Sequence, residues 1–110
     1  MEKDNIKRLR QEFKNYIICK FPDIKRITID TYIGDAFYVY RHEQELNINF
    51  FDLFNSSETI SEFRNKLLEH QKNNAVKYPN ASTCAYICGL NRLYSFFEEK
   101  YNGVDNFINS

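Results

Sequence analysis

Apolar residues recur at helical spacing from the start of the chain. Between residues 5 and 20 they fall on one stripe, while Lys and Arg occupy the opposite face. The stripe consists of Ile6, Leu9, Phe13, Tyr16, Ile17 and Cys19. Asp4 or Asn5 suits the N-cap of this first predicted helix, and Pro22 turns the chain after it.

A second helix is predicted from Thr28 to about residue 44. The Thr28 hydroxyl suits the N-cap, and Asp30 would then lie in the first turn, where the helix dipole favours a negative charge. Its core stripe is Ile29, Tyr32, Ile33, Ala36, Phe37 and Tyr40. Residues 46–54 alternate partly like a strand, but a lone strand would have no partner. We therefore favour a short helix there, or a continuation of the second helix.

The third predicted helix follows the break at residues 55–57. Asn55 with Glu58, or Thr59 with Glu62, has the spacing of a capping box. The apolar stripe of this helix is Ile60, Phe63, Leu67 and His70. Residues 72–81 are polar, contain a proline and are predicted to form a loop.

The fourth predicted helix runs from Ser82 to about Tyr101, with Tyr86, Leu90, Leu93 and Phe97 on its core stripe. Gly103 suits the position just beyond its end. The short tail, residues 104–110, is expected to fray unless its apolar residues dock against the core.

Composition supports a single all-α domain over residues 1–110. Hydrophobic residues make up 43% of the chain, whereas it contains only three Gly and two Pro, which suits long helices joined by short connections. A charged N-terminus without an apolar signal segment, and the lack of a long apolar run, predict a cytoplasmic protein. The three cysteines are expected to be reduced.

Charge is balanced in total but uneven along the chain. Residues 1–26 contain eight basic and four acidic residues, whereas residues 27–71 contain three basic and eight acidic residues. A dedicated non-specific nucleic-acid binder is usually basic throughout. Any DNA contact would therefore depend on local basic patches.

No catalytic constellation is visible in the sequence. His42 and His70 fall in different predicted elements and outside any common metal motif, so each is interpreted as a surface or boundary residue. Cys84 and Cys88 are interpreted as small residues packed beneath a crossing helix, and Gly89 indicates a close approach, preferentially by another helix. The sequence thus predicts no catalytic residue, metal site or cofactor.

A pattern occurs twice: Thr28-Ile29-Asp30-Thr31-Tyr32 and Ser82-Thr83-Cys84-Ala85-Tyr86 each place a Tyr four residues after a hydroxyl residue. Leu9 to Tyr16 reads Leu-x-x-x-Phe-x-x-Tyr, and Phe96-Phe97 closes the fourth helix. Over roughly residues 5–101 the chain resembles the core-binding domain of phage-type tyrosine recombinases (integrases). That resemblance implies a four-helix SAM-like orthogonal bundle of two helix pairs.

The resemblance also implies binding of double-stranded DNA beside a separate catalytic recombinase domain. Carried over, the DNA contacts would come from the starts of the second and fourth helices and nearby exposed positions. These residues are Lys25, Arg26, Thr28, Arg41, Lys77, Ser82, Thr83, Asn91 and Arg92. Neither histidine is followed by the His-x-x-Arg pattern that the family's catalytic domain requires. The chain alone is therefore not expected to cut or join DNA.

A second hypothesis is a helical protein-interaction or oligomerisation module. Its contact face would be the small residues Cys84, Ala85, Cys88 and Gly89, and its partner could be a second copy of the chain. A stand-alone enzyme ranks last because no site assembles.

Overall fold

The computed structural model describes residues 2–73 and 82–110, and every regular element within them is a helix. The elements in chain order are α1 (Glu2–Lys20), α2 (Arg26–Arg41), α3 (Glu43–Leu46), a 3₁₀ helix (Phe50–Asn55), α4 (Ser57–Asn73), α5 (Thr83–Tyr101) and α6 (Val104–Ile108). The all-α prediction and its four long helices are confirmed. Within the described ranges no helix has the length and apolar character that crossing a bilayer requires.

Aromatic rings from six of these helices fill the core. The phenylalanines with almost no exposed surface are Phe13, Phe37, Phe50, Phe54, Phe96, Phe97 and Phe107. Many of the rings meet edge to face, as Phe13 and Phe96 do with centroids 6.1 Å apart. The predicted stripes include Phe13, Phe37 and Phe97, whereas the other four lie outside them. Packing in the core explains the abundance of phenylalanine.

Helices α2 and α5 approach each other most closely at Gly89. A Cβ atom added there would lie 2.6 Å from the backbone nitrogen of Ala36 and 2.7 Å from the carbonyl carbon of Asp35. The predicted close approach by another helix is confirmed, and that helix is α2. Cys84 and Cys88, by contrast, are exposed, so the prediction that they pack beneath a crossing helix was wrong.

The start of α2 differs from the prediction. The helix begins at Arg26 with Lys25 as N-cap, and the Thr28 amide donates to the Lys25 carbonyl oxygen at 3.0 Å. Thr28 therefore lies inside the first turn, and Asp30 lies beyond it. The reason is the preceding turn, in which the Ile24 amide donates to the Phe21 carbonyl at 3.0 Å, so the chain has already reversed by residue 24.

Helix α2 also ends earlier than predicted, at Arg41 instead of about residue 44. The next segment forms α3 and the 3₁₀ helix, which agrees with a short helix over residues 46–54. Asn47 takes a left-handed conformation with φ 53° at the end of α3, and the Phe50 amide donates to a Glu43 carboxylate oxygen at 2.7 Å. These two features turn the chain towards α4.

Hydroxyl side chains cap the last two long helices. The Ser56 hydroxyl accepts a hydrogen bond from the Thr59 amide at 3.2 Å, so Ser56 is the N-cap of α4. The two predicted capping boxes, which began at Asn55 and Thr59, were therefore wrong. The Ser82 hydroxyl accepts the Ala85 amide at 3.3 Å, which confirms the predicted start of α5. The polar loop predicted for residues 72–81 includes the end of α4 up to Asn73, and its remainder lies outside the described residues.

The C-terminal tail does not fray but forms α6, which is the alternative expected if the apolar residues of 104–110 dock against the core. Asn102 has φ 61° and Gly103 has φ 130°, and together they reverse the chain after α5. Val104 and Phe107 then become buried. Arg8 of α1 lies 4.0 Å above the Phe107 ring and donates to the Phe107 carbonyl at 2.6 Å. Docking of these apolar residues and the arginine contact explain why the tail is held.

The close approach at Gly89 predicts that Gly89→Ala destabilises the protein. The new methyl group meets backbone atoms, which cannot rotate away, so α2 and α5 must separate. We expect the free energy of unfolding to fall by about 1–3 kcal/mol, measured by urea denaturation.

Gly34→Ala is the matched control, because Gly34 lies inside α2 and an added Cβ would meet nothing within 4 Å. It should raise the free energy of unfolding by about 0.5–1 kcal/mol through helix propensity. Equal effects of the two substitutions would contradict the steric role of Gly89.

Candidate nucleic-acid interface

The start of α2 presents two adjacent basic residues of the predicted DNA-contact set. Lys25 and Arg26 are adjacent and exposed, whereas Thr28 is half-buried. Among the described residues no side chain caps this start. The Thr28 and Ile29 amides donate to the Lys25 carbonyl oxygen, so an anion would meet the amides before them and the positive end of the helix dipole. Together with two adjacent cations, this arrangement suits a phosphate group.

Helices α2 and α5 run antiparallel. The Arg92 guanidinium carbon lies 3.8 Å from the Tyr32 ring centroid, Gly89 faces Ala36, and the Tyr86 and Tyr38 rings stack with centroids 3.8 Å apart. Residue numbers thus fall along one helix as they rise along the other. The start of α5 consequently lies near the end of α2.

The two predicted contact regions therefore do not meet. Because α2 has 16 residues and rises about 1.5 Å per residue, the two helix starts are about 24 Å apart. They cannot hold the same phosphate group.

The hydroxyls at the start of α5 already have partners. The Ser82 side chain caps the helix, and Thr83 is 8% exposed with its hydroxyl hydrogen-bonded to the side chain of Gln71. Thr83 is thus a buried residue and not the exposed DNA contact that was predicted. Lys77, also predicted to contact DNA, lies outside the described residues.

The remaining basic residues of the set surround Asp35. Arg92 is half-buried against Tyr32, and Arg41 is exposed and donates to the Gly34 carbonyl at 3.4 Å. Burial raises the pKa of the Asp35 carboxyl, and the positive charges of Arg92 and Arg41 offset part of that increase. Asn91 lies on the exposed face of α5. The surface around Asp35 on α2 therefore carries both negative and positive charges.

Lys20, the last residue of α1, is a further basic residue close in sequence to Lys25 and Arg26, but its ammonium group already has partners. Its ammonium group lies 3.0 Å from a Glu99 carboxylate oxygen and 3.0 Å from the Tyr16 hydroxyl. Burial raises the pKa of the Tyr16 hydroxyl, so tyrosine remains a neutral partner in this contact. Lys25 and Arg26 are consequently the freer cations at this end of the molecule.

A side-chain cluster that the sequence did not reveal lies at the opposite end of α2. His42 and His70 have ring centroids 6.0 Å apart, and Glu45 lies 3.7 Å from one ring nitrogen and 3.8 Å from the other. Burial lowers the pKa of His42, and nearby His70 and Arg41 lower it further, whereas Glu45 raises it. The placement of His70 on the core stripe of α4 was the available signal, because that position faces the interior.

Comparisons of this chain with protein-family models, with curated proteins and with solved structures returned no significant match.

The environment of Asp35 predicts a pH-dependent gain in stability for Asp35→Asn. Because the folded state binds the carboxyl proton more tightly than the unfolded chain does, ionised Asp35 destabilises the fold at neutral pH. Removing that charge should raise the free energy of unfolding at neutral pH. The gain should disappear as pH falls below the pKa of Asp35, measured by urea denaturation from neutral pH down to about pH 3.

Asp30→Asn is the control, since Asp30 is exposed on the same helix. It should change the free energy of unfolding by less than about 0.5 kcal/mol at neutral pH. A loss of stability in Asp35→Asn at neutral pH would show instead that attraction to the two arginines outweighs burial.

Proposed function

We propose that this chain is the DNA-binding module of an integrase-like site-specific recombinase and has no catalytic activity by itself. The observation that carries the proposal is the exposed start of α2, where Lys25 and Arg26 flank backbone amides that no described side chain caps. The resemblance of the helix starts to recombinase core-binding domains supplies the biological context. In this proposal the helices form the SAM-like arrangement and the module works in the cytoplasm.

Phosphate binding at this start follows from elementary electrostatics. Free amide groups and the helix dipole concentrate partial positive charge at the start of α2, and two basic side chains add full charges. The sequence up to this helix start adds to the positive charge, because residues 1–26 carry a net charge of +4. Contacts of this kind position a protein on the duplex backbone without reading bases.

The separation of the two helix starts limits how a duplex can lie. Since each strand carries one phosphate per 3.4 Å or so of helix axis, a distance of about 24 Å measured along that axis corresponds to roughly seven base pairs. We propose that the α2 start provides the principal contact and that Ser82 and Asn91, which lie nine positions and so about 13 Å apart on α5, approach two further phosphates. The net charge of zero limits affinity, so a catalytic domain would supply most of the binding free energy.

The double substitution Lys25→Ala/Arg26→Ala tests the α2 start. Binding of a mixed-sequence duplex should weaken, and the slope of log K against log salt should become shallower by about 1.8, because two phosphate contacts are lost. Fluorescence anisotropy over a salt series measures both quantities.

Arg64→Ala/Lys72→Ala is the matched control, because it removes the same charge from exposed positions on α4. The control should reduce affinity less and retain the salt slope of the parent protein. Equal losses in the two double variants would assign the effect to total charge and would overturn the α2 contact.

A second candidate function is self-association through the corner between α1 and α2. Three large apolar side chains are exposed there: Ile27 at 74%, Phe21 at 46% and Ile18 at 41%. Exposed Asp23 and exposed Lys25 flank them, so two copies related by a two-fold axis could pair opposite charges around an apolar centre. The small-residue face considered from the sequence is less suitable, because α2 of the same chain already covers Gly89.

Sedimentation equilibrium of Phe21→Ser/Ile27→Ser tests self-association. If the parent protein dimerises, the variant should have a dissociation constant at least about tenfold higher, because apolar burial at the contact is lost. Leu68→Ser is the control, since Leu68 is 45% exposed on α4. A parent protein that remains monomeric up to submillimolar concentration would exclude this function.

A further inference from the structure

Three potential metal ligands converge where α2, α3 and α4 meet. One ligand atom from each of His42, Glu45 and His70 lies within 4.8 Å of the other two. Their side chains are 15%, 43% and 7% exposed, respectively. The two imidazoles are thus largely shielded from solvent, while the carboxylate lies at the surface.

The backbone holds these residues from three separate elements. His42 links the end of α2 to the start of α3, Glu45 lies on α3, and His70 lies in the last turn of α4. The Lys66 ammonium group donates to the Asn47 carbonyl at 3.3 Å and ties α3 to α4. Buried Leu46 anchors α3 from its inner side. The ligands are therefore held in place by packing that does not involve a metal.

We propose that His42, Glu45 and His70 form a binding site for Zn²⁺. Two imidazole nitrogens and one carboxylate oxygen are a donor set that zinc uses in proteins with three protein ligands. A tetrahedral ion takes one further ligand, which water can supply. This proposal is independent of the DNA-binding function.

The distances between the ligand atoms suit a zinc ion after a small movement of the side chains. Bonds of about 2.0–2.1 Å in tetrahedral geometry place neighbouring ligand atoms roughly 3.3 Å apart. The Glu45 oxygen lies 3.7 Å from the His42 Nδ1 atom and 3.8 Å from the His70 Nε2 atom. Since Glu45 is partly exposed and has flexible torsions, it can close these gaps. The two imidazole nitrogens, which lie within 4.8 Å of each other, must also approach by rotation of the rings. A bound ion would then cross-link α3 and α4 at the end of α2.

The test uses tag-free protein in which Cys19, Cys84 and Cys88 are replaced by serine. All three cysteines are exposed, so the substitutions remove competing thiol ligands with little effect on packing. Co²⁺, which occupies zinc sites and absorbs visible light, is titrated into the protein and then displaced by Zn²⁺. We expect saturation at one Co²⁺ per chain, full displacement by Zn²⁺, and a higher melting temperature with Zn²⁺ than with a chelator.

Two variants assign the ligands. Glu45→Gln keeps the size of the side chain and should weaken Zn²⁺ binding at least about tenfold. Its melting temperature in chelator measures any effect on the metal-free protein separately. His70→Asn should weaken binding likewise, and its far-UV circular dichroism checks that it folds. Glu69→Gln, an exposed carboxylate adjacent to His70, should bind as the parent does.

The proposal is overturned if the cysteine-free protein shows no saturable Co²⁺ or Zn²⁺ binding. It is also overturned if Glu45→Gln binds Zn²⁺ as tightly as Glu69→Gln. In either case the three side chains form a hydrogen-bonded or ionic cluster without a metal. DNA binding by the α2 start is unaffected by these outcomes, so failure of this site and failure of the proposed function can be distinguished.

Discussion

The backbone contact between Gly89 of α5 and Ala36 of α2 sets the distance between the two helices at the centre of the molecule. With no side chain at Gly89, backbone meets backbone, and the residues on either side of the contact come within stacking distance. Tyr86 then lies flat on Tyr38, and Arg92 lies over Tyr32. A larger residue at the crossing would disturb both contacts, because close-packed interiors transmit strain to their neighbours.

The antiparallel direction of this helix pair separates two chemically different regions. One end of α2 carries Lys25 and Arg26 and is cationic and exposed. The other end carries the shielded histidines beside Glu45. The two proposed ligands, an anion and a cation, would therefore approach α2 from opposite ends without steric competition. The mixed charges around Asp35 lie between them.

Local information in the sequence was sufficient for the four long helices and for the contact at Gly89, because apolar periodicity and a glycine within a helix report directly on packing. It was insufficient for the start of α2, which a backbone turn fixes at Arg26 and not at the hydroxyl of Thr28. Local information in the sequence also did not predict the proximity of His42 and His70. Those residues are 28 positions apart, and only the folding of α3 back onto α4 brings them together.

The contact between Arg8 and Phe107 has a consequence for the order of folding. It joins residues separated by 99 positions, so forming it first would close a loop of nearly the whole chain. The entropic cost of that loop exceeds the cost of the short loops within a hairpin, although it grows only logarithmically with loop length. The contacts within each helix hairpin close much shorter loops and can form first. The contact between Arg8 and Phe107 should therefore form late, whereas α6 can dock onto α5 early, because Phe107 lies only ten and eleven positions from Phe97 and Phe96. Until α1 joins this unit, the surface of Phe96 that Phe13 covers remains open to other chains.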